Sequence, residues 1–341
     1  MDWLQCMTVA PALSLLALAG CEAPRPPLVV FDGETMGTTY TVKIVGVGVD
    51  DDTLRQTKQA VATALQSVDD LMTTYRPSEV TAFNEHRSLD PLVVSDSTRA
   101  VVELALDLAR VTRGALDITV APLVDAYGFG ATAPGDPQAI EGLAAVTGFD
   151  KLMIDASGAL VKQDPGLRID LSALAKGYGV DRVAQALESE GYENFMVEVG
   201  GEVRASGRSE SGHLWRIGIE QPDAARGTVH RIVPLADLSL ATSGDYRNFR
   251  LVDGRRLSHI IDPRTARPIE HPVASATVIH TSCATADGLA TAMMVLGEQA
   301  LELAELNDWA VMLLVRENGG FVERQSTAFA RLLESARATG S

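Results

Sequence analysis

Hydrophobic positions change their spacing several times along the chain, and each change marks an element. Leu54, Val61, Leu65, Val68 and Met72 recur at helical spacing, which predicts an amphipathic helix with one buried stripe. The segment before it, Thr38–Val45, reads as a strand. A second helix is predicted over Thr98–Val111, entered through Asp96-Ser97 and closed by Gly114. Ser172 is the expected N-cap of a helix ending at Gly191. The pattern then shifts to short β runs: Asn194–Val199, Glu202–Ser206, Trp215–Glu220, His230–Val233, Ser239–Thr242, Asn248–Val252 and later Ser275–His280. Helices return at Ala284–Leu296 and Glu298–Leu306, before a strand at Ala310–Val315 and a terminal helix. There is no internal repeat. Strands in runs, with helices grouped rather than strictly alternating, predict the α+β class over a doubly wound sheet.

The first residues carry a different signal. Met7 to Ala19 is apolar but too short to cross a bilayer core of about 30 Å as a helix. It ends in Leu18-Ala19-Gly20-Cys21, the layout read by lipoprotein signal peptidase. The expectation is a leader over residues 1–20, removed to leave Cys21 lipidated through its sulfur. Met1 to Cys6 departs from that pattern, with no Lys or Arg and with Asp2 negative. Residues 21–29, with Pro24, Pro26 and Pro27, read as a stiff tether, and residues 30–338 as one domain. This predicts a protein on the periplasmic side of the cell membrane, anchored by lipid to the inner rather than the outer membrane. Cysteine usage agrees. Cys6 leaves with the leader and Cys21 takes lipid, so Cys283 has no partner for an intramolecular disulfide. It reads as a small buried apolar residue.

A formal charge of −16 excludes nucleic acid as a partner, because no basic stripe exists to displace counterions. An anionic ligand would need a metal, a helix N-terminus or one well-placed lysine. Asp287 and Thr291 lie four apart in an apolar helix, so their side chains share one face. A buried carboxylate is paired or holds a metal, and an oxygen-only pair suits Mg²⁺ or Ca²⁺ rather than zinc. Taken alone, the pair is as well explained by Asp287 capping the helix and Thr291 bonding back to a carbonyl. Arg168 to Asp181 runs from strand into helix, with Lys176 one turn in and Gly177 and Gly179 open to close approach. It is no dinucleotide fingerprint, since Gly-x-Gly-x-x-Gly is absent. His259 stands between a strand end and a turn, and none of the 6 histidines forms a zinc-like pair. Gly200-Gly201 and Thr242 to Tyr246 read as tight turns able to line a cleft.

In order, the segments Met36-Gly-Thr-Thr-Tyr40, Met72-Thr-Thr-Tyr75, Gly114-Ala-Leu-Asp117, Asp170-Leu-Ser-Ala-Leu-Ala-Lys176-Gly, Val199-Gly-Gly201, Thr242-Ser-Gly-Asp245, Ser258-His259-Ile-Ile-Asp262 and Ala286-Asp287-Gly-Leu-Ala-Thr291 resemble the ApbE family of FAD:protein FMN transferases. The likeness covers nearly the whole chain beyond the leader. It implies a T-fold-like arrangement of mixed sheets and packed helices, with an FAD cleft between two lobes. It also implies Mg²⁺-dependent transfer of FMN from FAD to a Ser or Thr hydroxyl of extracytoplasmic flavoprotein subunits, releasing AMP. Met36, Tyr75, Ala115, Leu116, Asp117, Asp170, Lys176 and Ile261 match FAD-contacting positions. Ala173, through its carbonyl, with Asp287 and Thr291 matches the metal site, and His259 matches a histidine implicated in transfer. Some relatives have another acidic residue where this chain has Ala290, which implies a metal shell more dependent on carbonyls and water. His259 has the intrinsic pKa of a general base, with Asp287 its rival. Two other readings keep the same residues: an FAD pyrophosphatase using water as acceptor, and a lipoprotein that binds FAD without turnover.

Overall fold

The computed structural model describes residues 26–130 and 140–339, apart from Val47, Val49, Arg226, Arg247, Asp253 and Gly254. The expected leader, Cys21 and the start of the tether lie outside the described residues. Among the described residues, no helix is long and apolar enough to cross a membrane.

A hairpin opens the fold, β1 (Leu28–Thr35) and β2 (Thr38–Val45), turned by Met36 and Gly37 with φ of +46° and +71°. Positive φ at both central residues is the type I′ geometry whose twist suits a two-residue hairpin; Gly37 adopts it freely and Met36 at a cost. Helix α1 (Asp51–Met72) follows, capped by Asp50, which accepts from the Thr53 N–H at 2.7 Å. Its buried face is Thr57, Val61, Leu65, Val68 and Met72, which is the stripe read from spacing except that Leu54 is only half-buried and Thr57 joins it. Next come α2 (Glu79–Glu85), α3 (Asp96–Val111), α4 (Ala121–Ala126), α5 (Ile140–Val146), the small hairpin β3 (Leu152–Ile154) and β4 (Leu160–Lys162), and α6 (Ser172–Ser189). The β-rich half is β5 (Phe195–Val199), β6 (Glu202–Ser206), β7 (Trp215–Glu220), β8 (Val229–Leu235) and β9 (Leu238–Gly244). Two short hairpins follow, β10 (Phe249–Val252) with β11 (Arg255–Ser258) and β12 (Ile261–Asp262) with β13 (Arg267–Pro268). The chain closes with β14 (Val273–His280), α7 (Cys283–Leu296), α8 (Ala300–Leu306), β15 (Ala310–Glu317), β16 (Gly320–Gln325) and α9 (Thr327–Thr339).

Eight strands form one sheet in the order β1-β2-β5-β6-β9-β14-β15-β16, antiparallel at every pairing. The period-2 alternation of β15 shows how the sheet divides two cores. Val311, Leu313 and Val315 pack with α3, α6 and α7, while Ala310, Met312 and Leu314 pack with β7, β8 and α9. Burying such a side chain contributes roughly 1.5–3 kcal/mol. Cys283 is fully buried, as expected.

Three local expectations are corrected. The strand β1 begins at Leu28, paired with Val45, so the tether's last residues belong to the sheet. Ser95, not Asp96 or Ser97, caps α3. The N-cap position of α6 is Leu171, and Asp170 two residues before Ser172 accepts the Ser172 N–H at 2.8 Å.

The stretch feeding α6 is clamped from below. Asn84 donates to the Ile169 carbonyl at 2.9 Å and accepts the Ile169 N–H at 2.7 Å. The buried Lys162 ammonium donates to the carbonyls of Phe83, His86 and Leu167 at 2.8, 2.9 and 2.9 Å and lies 4.2 Å from the Phe83 ring centre. Burial, with the Arg87 and Arg168 charges, pulls its pKa down to about 8. Lys162→Met should keep the volume but orphan three carbonyls, at about 1–3 kcal/mol for each buried one. Urea unfolding should therefore show a large drop in midpoint, and an unchanged midpoint would contradict the clamp.

Candidate active site

The site grows from a crossing of α6 and α7. A β-carbon added at Gly177 would lie 2.4 Å from the Cys283 carbonyl oxygen and 2.8 Å from the Ala284 Cα. Only glycine permits that approach. Asp181, one turn further along α6, accepts from the N–H groups of Cys283 and Ala284 at 2.8 and 3.0 Å and from the Ser282 hydroxyl at 2.9 Å. A side chain of one helix thus caps the other, meeting both its free amides and its dipole.

This crossing delivers Asp287 to the start of α6. Its Oδ2 accepts the Gly177 N–H at 3.0 Å, and its Oδ1 lies 3.5 Å from Lys176 Nζ. In a regular helix the Gly177 N–H faces the Ala173 carbonyl, so Asp287 arrives on the turn that carries that carbonyl. Lys176 makes a closer pair with Glu202, Nζ to Oε1 at 2.8 Å. Glu202 is brought there by the β5–β6 turn, where Gly200 and Gly201 have φ of +62° and +109°. Neither Asp287 nor Glu202 is appreciably exposed, and Glu202 Oε2 is buried without a hydrogen-bond partner. Burial raises both carboxyl pKa values, against the pull of the Lys176 ammonium. Burial also works against the Lys176 charge, but Asp287 and Glu202 outweigh it and hold the ammonium above its ordinary pKa.

Four residues beyond Asp287, the Thr291 hydroxyl lies 3.2 Å from that of Ser243 on β9. The expected metal donors, the Ala173 carbonyl, Asp287 carboxylate and Thr291 hydroxyl, are all oxygens, the donor type that a hard cation such as Mg²⁺ takes. Among the described residues, no group of three or more His, Cys, Asp or Glu side chains converges as a softer metal would require.

His259 follows β11, and its Nδ1 lies 2.7 Å from the Asn248 carbonyl oxygen. A carbonyl only accepts, so Nδ1 carries the proton and the neutral ring keeps its lone pair on Nε2. Burial lowers the His259 pKa from its ordinary value, opposed by the Asn248 carbonyl and the Asp245 charge. The Phe129 ring stands against the imidazole at 6.3 Å and 65°. Asp245 is itself held by Arg316, Nη2 to Oδ1 at 2.8 Å, and its carbonyl accepts from Arg256.

The remaining candidates divide into three groups. Asp170 donates its N–H to the Ile118 carbonyl at 2.8 Å, joining α6 to the segment of Ala115, Leu116 and Asp117. Ala115 and Leu116 have buried side chains. The Asp117 carboxylate is engaged by the Thr119 N–H and hydroxyl and the Phe149 N–H, at 2.8, 2.6 and 2.9 Å. Met36 packs on α6, where a β-carbon at Gly179 would meet its methyl at 2.9 Å. Tyr75 is 77% exposed, free to wall a ring, whereas Ile261 is buried with Leu123 and Ala266. Sequence reasoning missed Glu202 and Asn248, and it put Ser243 in a tight turn where β9 in fact runs on to Gly244. A signal existed for Glu202: Val203 and Ala205 face the β7–α9 core, so the alternate position places a charge on the helix side.

The ApbE family profile matches residues 36–313. The chain belongs to the ApbE family. It is 46% identical over 323 residues to an FAD:protein FMN transferase of Vibrio cholerae, spanning 93% of this chain and 96% of that protein. One from Haemophilus influenzae is 40% identical over 340 residues, spanning 96% and 97%. Among solved structures, the flavin transferase ApbE of Vibrio cholerae superposes with a TM-score of 0.82 at 43% identity, covering 90% of this chain and 99% of that one. The apo flavinyl transferase ApbE of Pseudomonas stutzeri gives 0.81 at 39%, covering 90% and 97%. In this ApbE chain the α6–α7 crossing joins the Lys176 and Asp287 motifs into one site. Gly177→Ala should force the helices apart, costing about 1–3 kcal/mol as overpacking does. Thermal unfolding should show it, and wild-type stability would mean that the crossing yields easily.

Proposed function

We propose that this ApbE family member transfers the FMN part of FAD to a Ser or Thr hydroxyl of a protein and releases AMP. One observation carries the reading: relatives named FAD:protein FMN transferase align over more than nine-tenths of the chain. In the proposed step the acceptor oxygen forms a bond to the phosphorus on the FMN side of the pyrophosphate. The bond from that phosphorus to the bridging oxygen breaks, and AMP departs with the electron pair. Ala173, Asp287 and Thr291 are the residues that would hold Mg²⁺, which supplies charge neutralisation and Lewis acidity when bound. Lys176 contributes a cation to the phosphates. His259 takes the acceptor proton on Nε2, the nitrogen left open by the Asn248 contact. Tyr75, Met36, Asp170, Ile261 and the Ala115–Asp117 main chain would line the flavin and adenine portions.

Incubation with FAD, Mg²⁺ and an acceptor peptide should release AMP only when the peptide is present. AMP without peptide would make the enzyme a pyrophosphatase, and none at all a binding protein. His259→Asn should retain FAD affinity and lose about 10²–10⁴-fold in rate. The base works when unprotonated, and burial holds the His259 pKa down. The rate should therefore fall with acidification around a midpoint below about 6.5, the ordinary histidine value. Normal turnover by the variant, or a midpoint above that value, would remove His259 as the base.

The working site we propose is the periplasmic side of the cell membrane, anchored through lipid on Cys21, with flavoprotein subunits of membrane electron-transport complexes as acceptors. The Leu18-Ala19-Gly20-Cys21 sequence supports this. Wild-type protein should enter the detergent phase on separation and Cys21→Ser should not; aqueous partition of the wild type would overturn the anchor.

A further inference from the structure

Lys176 faces two buried carboxylates at unequal distances. Its Nζ lies 2.8 Å from Glu202 Oε1, within a charge-assisted hydrogen bond, and 3.5 Å from Asp287 Oδ1, beyond a good one. Asp287 Oδ2 takes the Gly177 N–H, so Oδ1 meets Lys176 only through that long contact. Glu202 Oε2 stays buried and unpartnered, although a buried carboxylate oxygen without a hydrogen bond is costly. An expense of that kind calls for a use. The β5–β6 turn is built for this placement, with Gly200 lying against the Lys176 stem: a β-carbon there would sit 3.3 Å from Lys176 Cδ.

We infer that Glu202 is a positioning residue that draws Lys176 away from Asp287 and so keeps the Asp287 carboxylate open to a divalent cation. The inference rests on the proposed role of Asp287 in holding Mg²⁺. With Glu202 no longer holding its ammonium, Lys176 is free to close on Asp287 as a buried contact pair, which an incoming cation would have to break. The lysine still stays within reach of the site, where phosphates need it. Glu202 thus reconciles two demands on one position: a cation close enough for the substrate, yet not seated on the metal ligand.

The test uses the full protein and Mn²⁺ as the probe, read by electron paramagnetic resonance of the free ion, with Mg²⁺ as competitor. Wild type should bind Mn²⁺ and Asp287→Ala should not. Absence of binding in the wild type, or its survival in Asp287→Ala, would overturn the metal reading and this inference with it. Given that control, Glu202→Gln should weaken binding by about 10–100-fold, as loss of a residue supporting a ligand does. A crystal structure of metal-free Glu202→Gln should show Lys176 Nζ closed to about 2.8 Å from Asp287. Unchanged affinity overturns the inference, and so does weakened binding with Lys176 unmoved, which would make Glu202 a charge acting at a distance. Lys176→Met supplies an arm independent of how Glu202→Gln folds. It should bind Mn²⁺ at least as tightly as wild type, and a tenfold loss would show that the lysine supports the metal instead of competing with it.

Discussion

Two helices that touch through their backbones set the terms for everything else in the site. Side chains normally hold packed helices 8–10 Å apart. Here the missing β-carbon of Gly177 lets α6 settle on the first turn of α7, against Cys283 and Ala284. Three consequences follow from that one contact. The amides at the start of α7 come within reach of Asp181. Asp287, buried in the crossing, finds its counter-charge and a backbone donor on α6. The Ala173 carbonyl and the Asp287 carboxylate come to face the same amide. A carboxylate this deep is tolerable only with such partners, because an unpaired buried charge costs several kcal/mol. Close packing and electrostatics are here one constraint.

The sheet supplies the other half of the site by simple alternation. On its helix-facing side, central strands β6 and β9 place Glu202 and Ser243 where their neighbours in the pattern would be apolar. Glu202 meets Lys176 and Ser243 meets Thr291. The opposite side of the same strands carries Val203, Ala205 and Leu240 into the second hydrophobic core. Apart from the Thr242–Thr277 hydroxyl pair at 2.9 Å, the side chains named on that opposite face are apolar, and their burial fixes the strand register. A slip of one residue would bury Glu202 among Trp215, Ile217 and Phe329, which excludes it.

How much of this could be read from the sequence depended on whether a residue's partner was local. The stripe of α1 and the strands Thr38–Val45, Glu202–Ser206 and Trp215–Glu220 appeared where spacing put them, because an element one face deep leaves a periodic trace. The hairpins β3–β4 and β12–β13 are two or three residues per strand and too short to show a period. The strand β1 was hidden by its neighbours, since Pro24, Pro26 and Pro27 dominate the composition of the segment that leads into Leu28. In the site, Lys176 and Asp287 were legible through motifs, but their meeting was not, because 110 residues separate Gly177 from the carboxylate it binds. Asp117 shows the reverse: a residue picked out by motif whose carboxylate turns out to be engaged in holding a turn.

The geometry also bears on which group takes the acceptor proton. Asp287 faces an amide and an ammonium, and electrons drawn toward two donors are less available to a third. Its burial raises its affinity for a proton, yet that burial also distances it from any hydroxyl arriving with a protein acceptor. His259 has the opposite character. Its environment favours the uncharged ring, the Asn248 carbonyl fixes which nitrogen is open, and the ring is only partly covered. A carboxylate that holds positive charge and an imidazole that accepts a proton make conflicting demands on their surroundings, the first for fixed partners and the second for a free lone pair. The fold meets them on different elements, Asp287 on a helix locked at its start and His259 on a turn between short hairpins. That separation allows either group to be tuned without disturbing the other, and it favours the histidine as base.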